Sequence, residues 1–307
     1  MSVFFVVSDI HSFCAELRGA LGGAGFDSGN PEHSLIVCGD VFDRGPDPIG
    51  VYEFLSSIPK ERVILIRGNH ERLLAELLEK SFPQRHDFMN GTVDTVCDLA
   101  GYGRGAFDAL TYVEKAAAWA GIAEKAKGSD AAKWALSGDW RDFHEMGRFI
   151  FVHGFIPTRL SPGADPRLTT CCYNSASGRE YYGGWREGDW DDASWGCPWE
   201  QYKAGLFKPE EDAGKTLVCG HWHTSDFYLK LKGIGDYYNA PGPIYYSRGI
   251  IGIDGGVSFS LDTMGYVHPQ NVMVIDESGR CLAYDPGKRG LVELREEKDR
   301  WGEGKSI

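Results

Sequence analysis

Residues 63–78, VILIRGNHERLLAELL, change period halfway along. The first four are apolar and mostly β-branched, the composition of a buried strand. Leu73, Leu74, Leu77 and Leu78 then recur at the three-to-four spacing of one helix face. The junction between them carries Arg67, Gly68, Asn69, His70 and Glu71. Turning the backbone needs only the glycine. An arginine, an amide, an imidazole and a carboxylate between two buried elements are costly unless something uses them. The stretch therefore predicts a layered α/β fold with a site at the C-terminal edge of its strands.

The same junction occurs four more times. VFFVVSDIHS (3–12) ends in Asp9 and His11, and SLIVCGDVFDRG (34–45) ends in Asp40, Asp43 and Arg44. RFIFVHGF (148–155) ends in His153, and TLVCGHWHT (216–224) ends in His221 and His223. The intervening lengths differ widely, so these are strand ends and not internal repeats. Helix patterns follow the first three. Phe13, Leu17 and Leu21 share a face, as do Val51, Phe54, Leu55 and Ile58, with Asp47 and Pro48 as cap and first-turn residue. Strand–helix alternation over the first 80 residues predicts a parallel sheet.

The remainder is more varied. Residues 92–146 are rich in Ala, Gly and charge, with helical patches such as ALTYVEKAAAWAGIAEKA, and predict a helical insertion. Residues 173–202 carry four tryptophans among Gly, Asp and Ser; weak periodicity predicts a loop insertion, and its aromatics suit a wall of the substrate pocket. IIGIDGG, NVMVID and CLAYD predict late strands. The chain is expected to form one catalytic unit over 1–294, followed by a charged tail at 295–307.

Composition narrows the partners. Across 307 residues the net charge is −12, which argues against binding nucleic acid backbones. No apolar run approaches the roughly 20 residues of a membrane span, and MSVFFVV lacks a basic leader. Eight cysteines form no CxxC pair. A cytoplasmic protein is expected, with no membrane partner.

The chemistry follows from the donor types. Asp9, His11, Asp40, Asn69, His153, His221 and His223 mix carboxylate, amide and imidazole donors, a set suited to Mn, Fe or Zn. Seven donors are too many for one tetrahedral site. They suit two divalent transition metal ions sharing a carboxylate, for which Asp40 is the natural bridge, with a hydroxide held between the ions as nucleophile. Arg44 and Arg67 could fork onto phosphate oxygens. His70 is the candidate acid, held by Asp43, and Glu71 could cap the helix start.

In order, SDIHS, GDVFDRGP, RGNHE, VHG and GHWH resemble the motifs of the PPP-type metallophosphoesterases, and IIGIDGG looks like that family's closing motif. The resemblance is close over residues 3–80 and rests on short motifs beyond. It implies a calcineurin-like β-sandwich flanked by helices, with a dimetal site at the strand ends. It implies one metal on Asp9, His11 and Asp40, and a second on Asp40, Asn69, His153 and His221. It assigns His70 and Asp43 as the acid pair, and Arg44 and Arg67 to phosphate. Ser8 and Ser12 replace glycines, His223 is an additional histidine, and Arg186 is the stand-in for a third phosphate arginine. The function implied is a Mn-dependent serine/threonine protein phosphatase acting on phosphorylated proteins or small phosphoesters. A diadenosine tetraphosphate hydrolase is the alternative within the class. A non-catalytic metal-binding scaffold is disfavoured because every motif position is filled.

Overall fold

The computed structural model describes residues 2–165, 176–234, 242–258, 268 and 270–296. Tyr173, Cys171, Cys172 and the tail beyond residue 296 lie outside the described residues. The opening strands β1 (Val3–Val7), β2 (His33–Cys38) and β3 (Val63–Ile66) run parallel, each paired with the next. They are linked by the helices α1 (Cys14–Gly23) and α2 (Pro48–Ser57), and α3 (Asn69–Glu79) follows β3. Asp47 caps α2, its Oδ1 accepting from the Gly50 N–H at 2.8 Å ahead of Pro48.

Five further helices come next: α4 (Arg85–Met89), α5 (Thr92–Leu99), α6 (Arg104–Asp108), α7 (Tyr112–Lys127) and α8 (Asp130–Ala135). The helical stretch thus begins ahead of residue 92 and stops short of 146. The end of that range is instead the strand β4 (His144–Met146), which pairs antiparallel with β5 (Phe149–Phe151). A short hairpin, β6 (Arg159–Leu160) with β7 (Arg179–Glu180), follows. Two short helices, α9 (Trp190–Ser194) and α10 (Pro198–Lys203), occupy much of the tryptophan-rich segment expected as loop. After them come β8 (Thr216–Cys219), α11 (Thr224–Phe227), β9 (Tyr245–Ser247) and β10 (Ile250–Gly252). The last strands are β11 (Met273–Ile275), β12 (Cys281–Asp285) and β13 (Gly290–Glu293).

The strands form two main sheets, ordered β13-β12-β11-β1-β2-β3 and β4-β5-β8-β10-β9. Strand alternation assigns the layers. Phe5, Val7, Leu35, Val37 and Leu65 face the helices α1–α8, packing with Leu17, Leu74, Val96 and Trp119. Val6, Ile36, Cys38 and Ile66 point the other way and meet Phe149, Phe151, Val218 and Ile251 of the second sheet. Burial on both faces is why these runs read as continuously apolar, and each large side chain so buried is worth about 1.5–3 kcal/mol. The outer face of the second sheet, Ile150, Leu217 and Ile250, is covered by Phe155, Trp185, Phe207 and Phe227. No helix among the described residues is long and apolar enough to cross a membrane.

β5, β8 and β10 are parallel to one another, as are β1–β3, so six strand ends deliver polar residues to the edges of the two sheets. The sheets are joined there. His153 Nδ1–H, beyond β5, donates to the Cys38 carbonyl of β2 at 2.9 Å. An added Cβ on Gly39, whose φ is +82°, would lie 2.5 Å from that Nδ1, so only glycine permits the approach.

Candidate metal centre

The site residues follow their strands by two to six positions, and many of them stand on backbone that ordinary residues avoid. Asp9, His11, Ser12, Asp40, Asp43, Arg44 and His221 all have φ between +48° and +72°. Left-handed backbone costs of order 1–3 kcal/mol per residue when the side chain is not glycine. Among the described residues only Ala213 and Arg289 share it outside these motifs. Strain is thus concentrated where the polar side chains are aimed.

Asp40 stands between two groups of donors. His11, Asp40 and His70 have ligand-type atoms within 4.8 Å of one another, and so have Asp40, His153 and His221. Asp40 Oδ2 lies 3.8 Å from His11 Nε2 and 3.9 Å from His70 Nε2. Its Oδ1 lies 3.3 Å from His153 Nε2 and accepts the His70 backbone N–H at 3.0 Å. Asn69 Oδ1 is 2.9 Å from His153 Nε2. His11 and His153 each present Nε2 inward because Nδ1–H donates to a carbonyl, Phe42 O at 3.0 Å and Cys38 O at 2.9 Å. That outer hydrogen bond is the usual device for orienting a ligating imidazole.

The electrostatics fit a cation. Burial, with Asp254 nearby, pushes the Asp9 carboxyl well above its usual range. Burial likewise raises Asp254 to about 7. Burial alone would raise Asp40 too, but His153, His70 and His11 hold it well below the ordinary carboxylate value. Burial opposes a charge on His153, yet Asp40 and Asp9 lift it to about 10, so the carboxylates favour positive charge at that point. Burial drops His221 to about 3 and His223 to about 4, values of neutral donor imidazoles. Arg44 supplies a second positive group: Nη1 donates to His11 Nε2 at 3.1 Å and Nη2 to His70 Nε2 at 3.1 Å. Two imidazole lone pairs thus already converge on one cation, and the carboxylates, amide and imidazoles present fit divalent transition metals.

Several sequence expectations change in detail. Asp9 lies outside both donor groups, and its Oδ2 accepts the His221 backbone N–H at 2.9 Å. His223 is also outside them; its Nε2 is 3.9 Å from Asp254 Oδ2. His70, expected apart from the ligands, falls within the first group, while its Nδ1–H donates to Asp43 Oδ2 at 2.6 Å. Arg67 is half-buried, and its backbone N–H donates to Arg141 O at 2.7 Å. Arg186 is not brought to the cluster. Its guanidinium binds Glu145 at 2.5 Å and Asp212 at 3.3 Å and lies over the Trp185 ring, so carboxylates and an indole occupy the donors that a phosphate would need. The tryptophans divide as well: Trp185 is fully buried, whereas Trp195 is 37% exposed and stands 6.1 Å from the His221 ring.

Other contributors were not foreseen. Asp254 follows β10, is buried and accepts the Gly256 N–H at 2.7 Å. Its signal was the acid ending IIGID. Glu71 caps the start of α3 as expected, accepting the Gly68 N–H, and beyond that expectation it also accepts from Asp40 and Val41. Thr92 and Thr95 of α5 hydrogen-bond Asp43; two threonines three apart at a helix start were the only trace.

The sequence model described as Calcineurin-like phosphoesterase matches residues 2–225. Curated relatives from Buchnera aphidicola subsp. Acyrthosiphon pisum, named bis(5'-nucleosyl)-tetraphosphatase, symmetrical, are 38% identical over 71 residues. That alignment covers 23% of this chain and 24% of theirs, so the chain spans about a quarter of the length of these relatives. A cold-active protein tyrosine phosphatase superposes with a TM-score of 0.50 at 14% identity, covering 96% of this chain and 81% of the other. A protein serine/threonine phosphatase from Saccharomyces cerevisiae gives 0.47 at 13% identity, with 97% and 82% covered. At such identities structural likeness speaks to the fold alone.

Proposed function

Because the chain belongs to the calcineurin-like phosphoesterase family, and is on that ground a metal-dependent hydrolase, we propose that it cleaves phosphate monoesters at a two-metal centre, with phosphoserine or phosphothreonine of proteins as substrate. The observation that carries this reading is the place of Asp40, shared by one donor group with His11 and another with His153 and His221. In this reading Asp9, His11 and Asp40 hold one ion, and Asp40, Asn69, His153 and His221 hold the other. Mn is the proposed metal, with Fe and Zn as alternatives that the same donors accept. When bound, such a pair polarises the phosphoryl group and makes water nucleophilic at neutral pH.

The chain's own groups do the remainder. Arg44, beside His11 and His70, offers its fork to the phosphate oxygens, and Arg67 is the proposed second contact. His70 keeps Nδ1–H on Asp43 and accepts Arg44 at Nε2; once the Arg44 fork turns to the phosphate, Nε2 is free to take up a proton, and the imidazolium gives it to the leaving oxygen as the P–O bond breaks. The reducing cytoplasm is the proposed compartment, supported by Cys38 and Cys219, which are buried inside strands as small hydrophobes.

The second reading is a dinucleoside polyphosphate hydrolase. It is favoured by the name of the Buchnera relatives and by Trp195, half-exposed beside His221, where a base could stack. Turnover of 4-nitrophenyl phosphate with Mn tests the enzyme class, and its absence would leave a metal-binding scaffold. Comparing kcat/KM on a phosphoserine peptide and on diadenosine tetraphosphate then separates the readings, the peptide being expected to win.

A further inference from the structure

Helix α5 reaches the proposed acid through two hydroxyls. Asp43 is fully buried, and three donors meet its carboxylate. Thr92 Oγ1–H donates to Oδ2 at 2.7 Å, and Thr95 Oγ1–H donates to Oδ1 at 2.6 Å. His70 Nδ1–H donates to the same Oδ2 at 2.6 Å. The Asp43 backbone N–H in turn donates to Thr95 Oγ1 at 3.1 Å, so one hydroxyl ties down both the main chain and the side chain of Asp43. Both threonines are completely buried, and their i, i+3 spacing puts them on one helix face. Asp43 itself sits on left-handed backbone, with φ +72°. Strained backbone holds its place only where the surroundings over-determine it, and Thr95 supplies such a constraint.

A carboxylate fixed at both oxygens has one rotamer. The imidazole bonded to it therefore has one plane and one direction for Nε2. We propose that Thr92 and Thr95 are positioning residues of the hydrolysis: through Asp43 they aim His70 at the leaving-group oxygen. This rests on the reading of His70 as the acid. It also gives the helical stretch a part in the chemistry beyond covering the sheet, since α5 packs on α3, the helix that carries His70.

The test uses the full chain with Mn and two esters, an alkyl phosphate that needs a proton on leaving and 2,4-dinitrophenyl phosphate that does not. Valine keeps the threonine shape and removes the hydroxyl. Thr95→Val is expected to lower kcat on the alkyl ester by about tenfold or more with KM unchanged, and on the activated ester by about twofold at most. Thr95→Ser, which restores the hydroxyl, is expected to recover most of the loss. In a His70→Asn background, Thr95→Val is expected to add nothing, because it acts only through that ring. Thr92→Val, which leaves the Thr95 link intact, carries the same comparison should Thr95→Val fail to fold. Equal losses on both esters, or full additivity with His70→Asn, would overturn the proposal. If His70→Asn alone hits both esters equally, the acid reading falls and takes the threonines with it. If His70→Asn discriminates and the valine variants do not, the threonines fall alone.

Discussion

Asn69 and Glu71 were equally visible in RGNHE, yet only one of them offers a donor to the cluster. Glu71 turns back, and its buried carboxylate accepts Gly68 N–H at 2.8 Å, Asp40 N–H at 3.0 Å and Val41 N–H at 2.8 Å. It therefore locks the ends of β2 and β3 together and sets where Asp40 points. Its role at the start of α3 was readable, because a carboxylate at that turn is favourable. Its grip on a loop thirty residues earlier was not, because sequence spacing carries no sign of that approach. Glu71→Gln leaves one acceptor oxygen and aims an amide donor at backbone donors. Charge-assisted bonds of this kind are worth about 1.5–3 kcal/mol, so a melting temperature lower by several degrees is expected, together with weaker Mn binding. A melting curve and a Mn titration that both match the parent would refute the clamp.

The segment holding Trp185, Trp190, Trp195 and Trp199 was expected as a loop walling the pocket. Short helices and a core cluster account for most of it. Trp185 is fully buried against Phe143 and Trp190, with its Nε1–H on Asp212 at 3.0 Å. It seals the outer face of the second sheet. Trp195 alone combines exposure with a place beside His221. The irregular pattern misled because each short element buries only one or two rings, too few to set a period. Trp185→Ala should cost about 3–5 kcal/mol, with a lower melting temperature and a parallel loss on every substrate. Trp195→Ala should leave the melting temperature nearly unchanged and alter the ratio of kcat/KM between a phosphopeptide and diadenosine tetraphosphate. The reverse pattern, a stable Trp185 variant with altered selectivity, would show that the core assignment is wrong.

Across the molecule, folding gathers Asp9, Asp40, Asp254 and Glu71 into a buried region of a chain whose net charge is −12. Gathering like charges opposes folding unless positive charge joins them. A divalent ion that binds the folded chain and not the unfolded one stabilises it by about 2.7 kcal/mol at a hundred times its Kd. The melting temperature is therefore expected to rise with added Mn and to fall again with EDTA. Asp40→Asn should abolish the rise, since both donor groups depend on that carboxylate. A melting temperature indifferent to Mn in the parent protein would count against a cation at this site.

The parallel opening strands, the helices that follow them and most of the polar cluster were legible because they depend on local rules. Apolar runs buried on both faces, a change of period from two to 3.6, and polar residues directly after a strand are all consecutive in the chain. Asp9, His11, Asp40, His70, His153 and His221 could be named from those rules alone. Tertiary structure decided what depends on distance between strands. It set Asp40 between two donor groups, put His223 beside Asp254, and drew Arg186 away to Glu145 and Asp212. It also sent hydroxyls from α5 to Asp43, across about fifty residues of chain. Periodicity reports which face of an element is buried; it does not report which partner that face meets, and these assignments are all choices of partner.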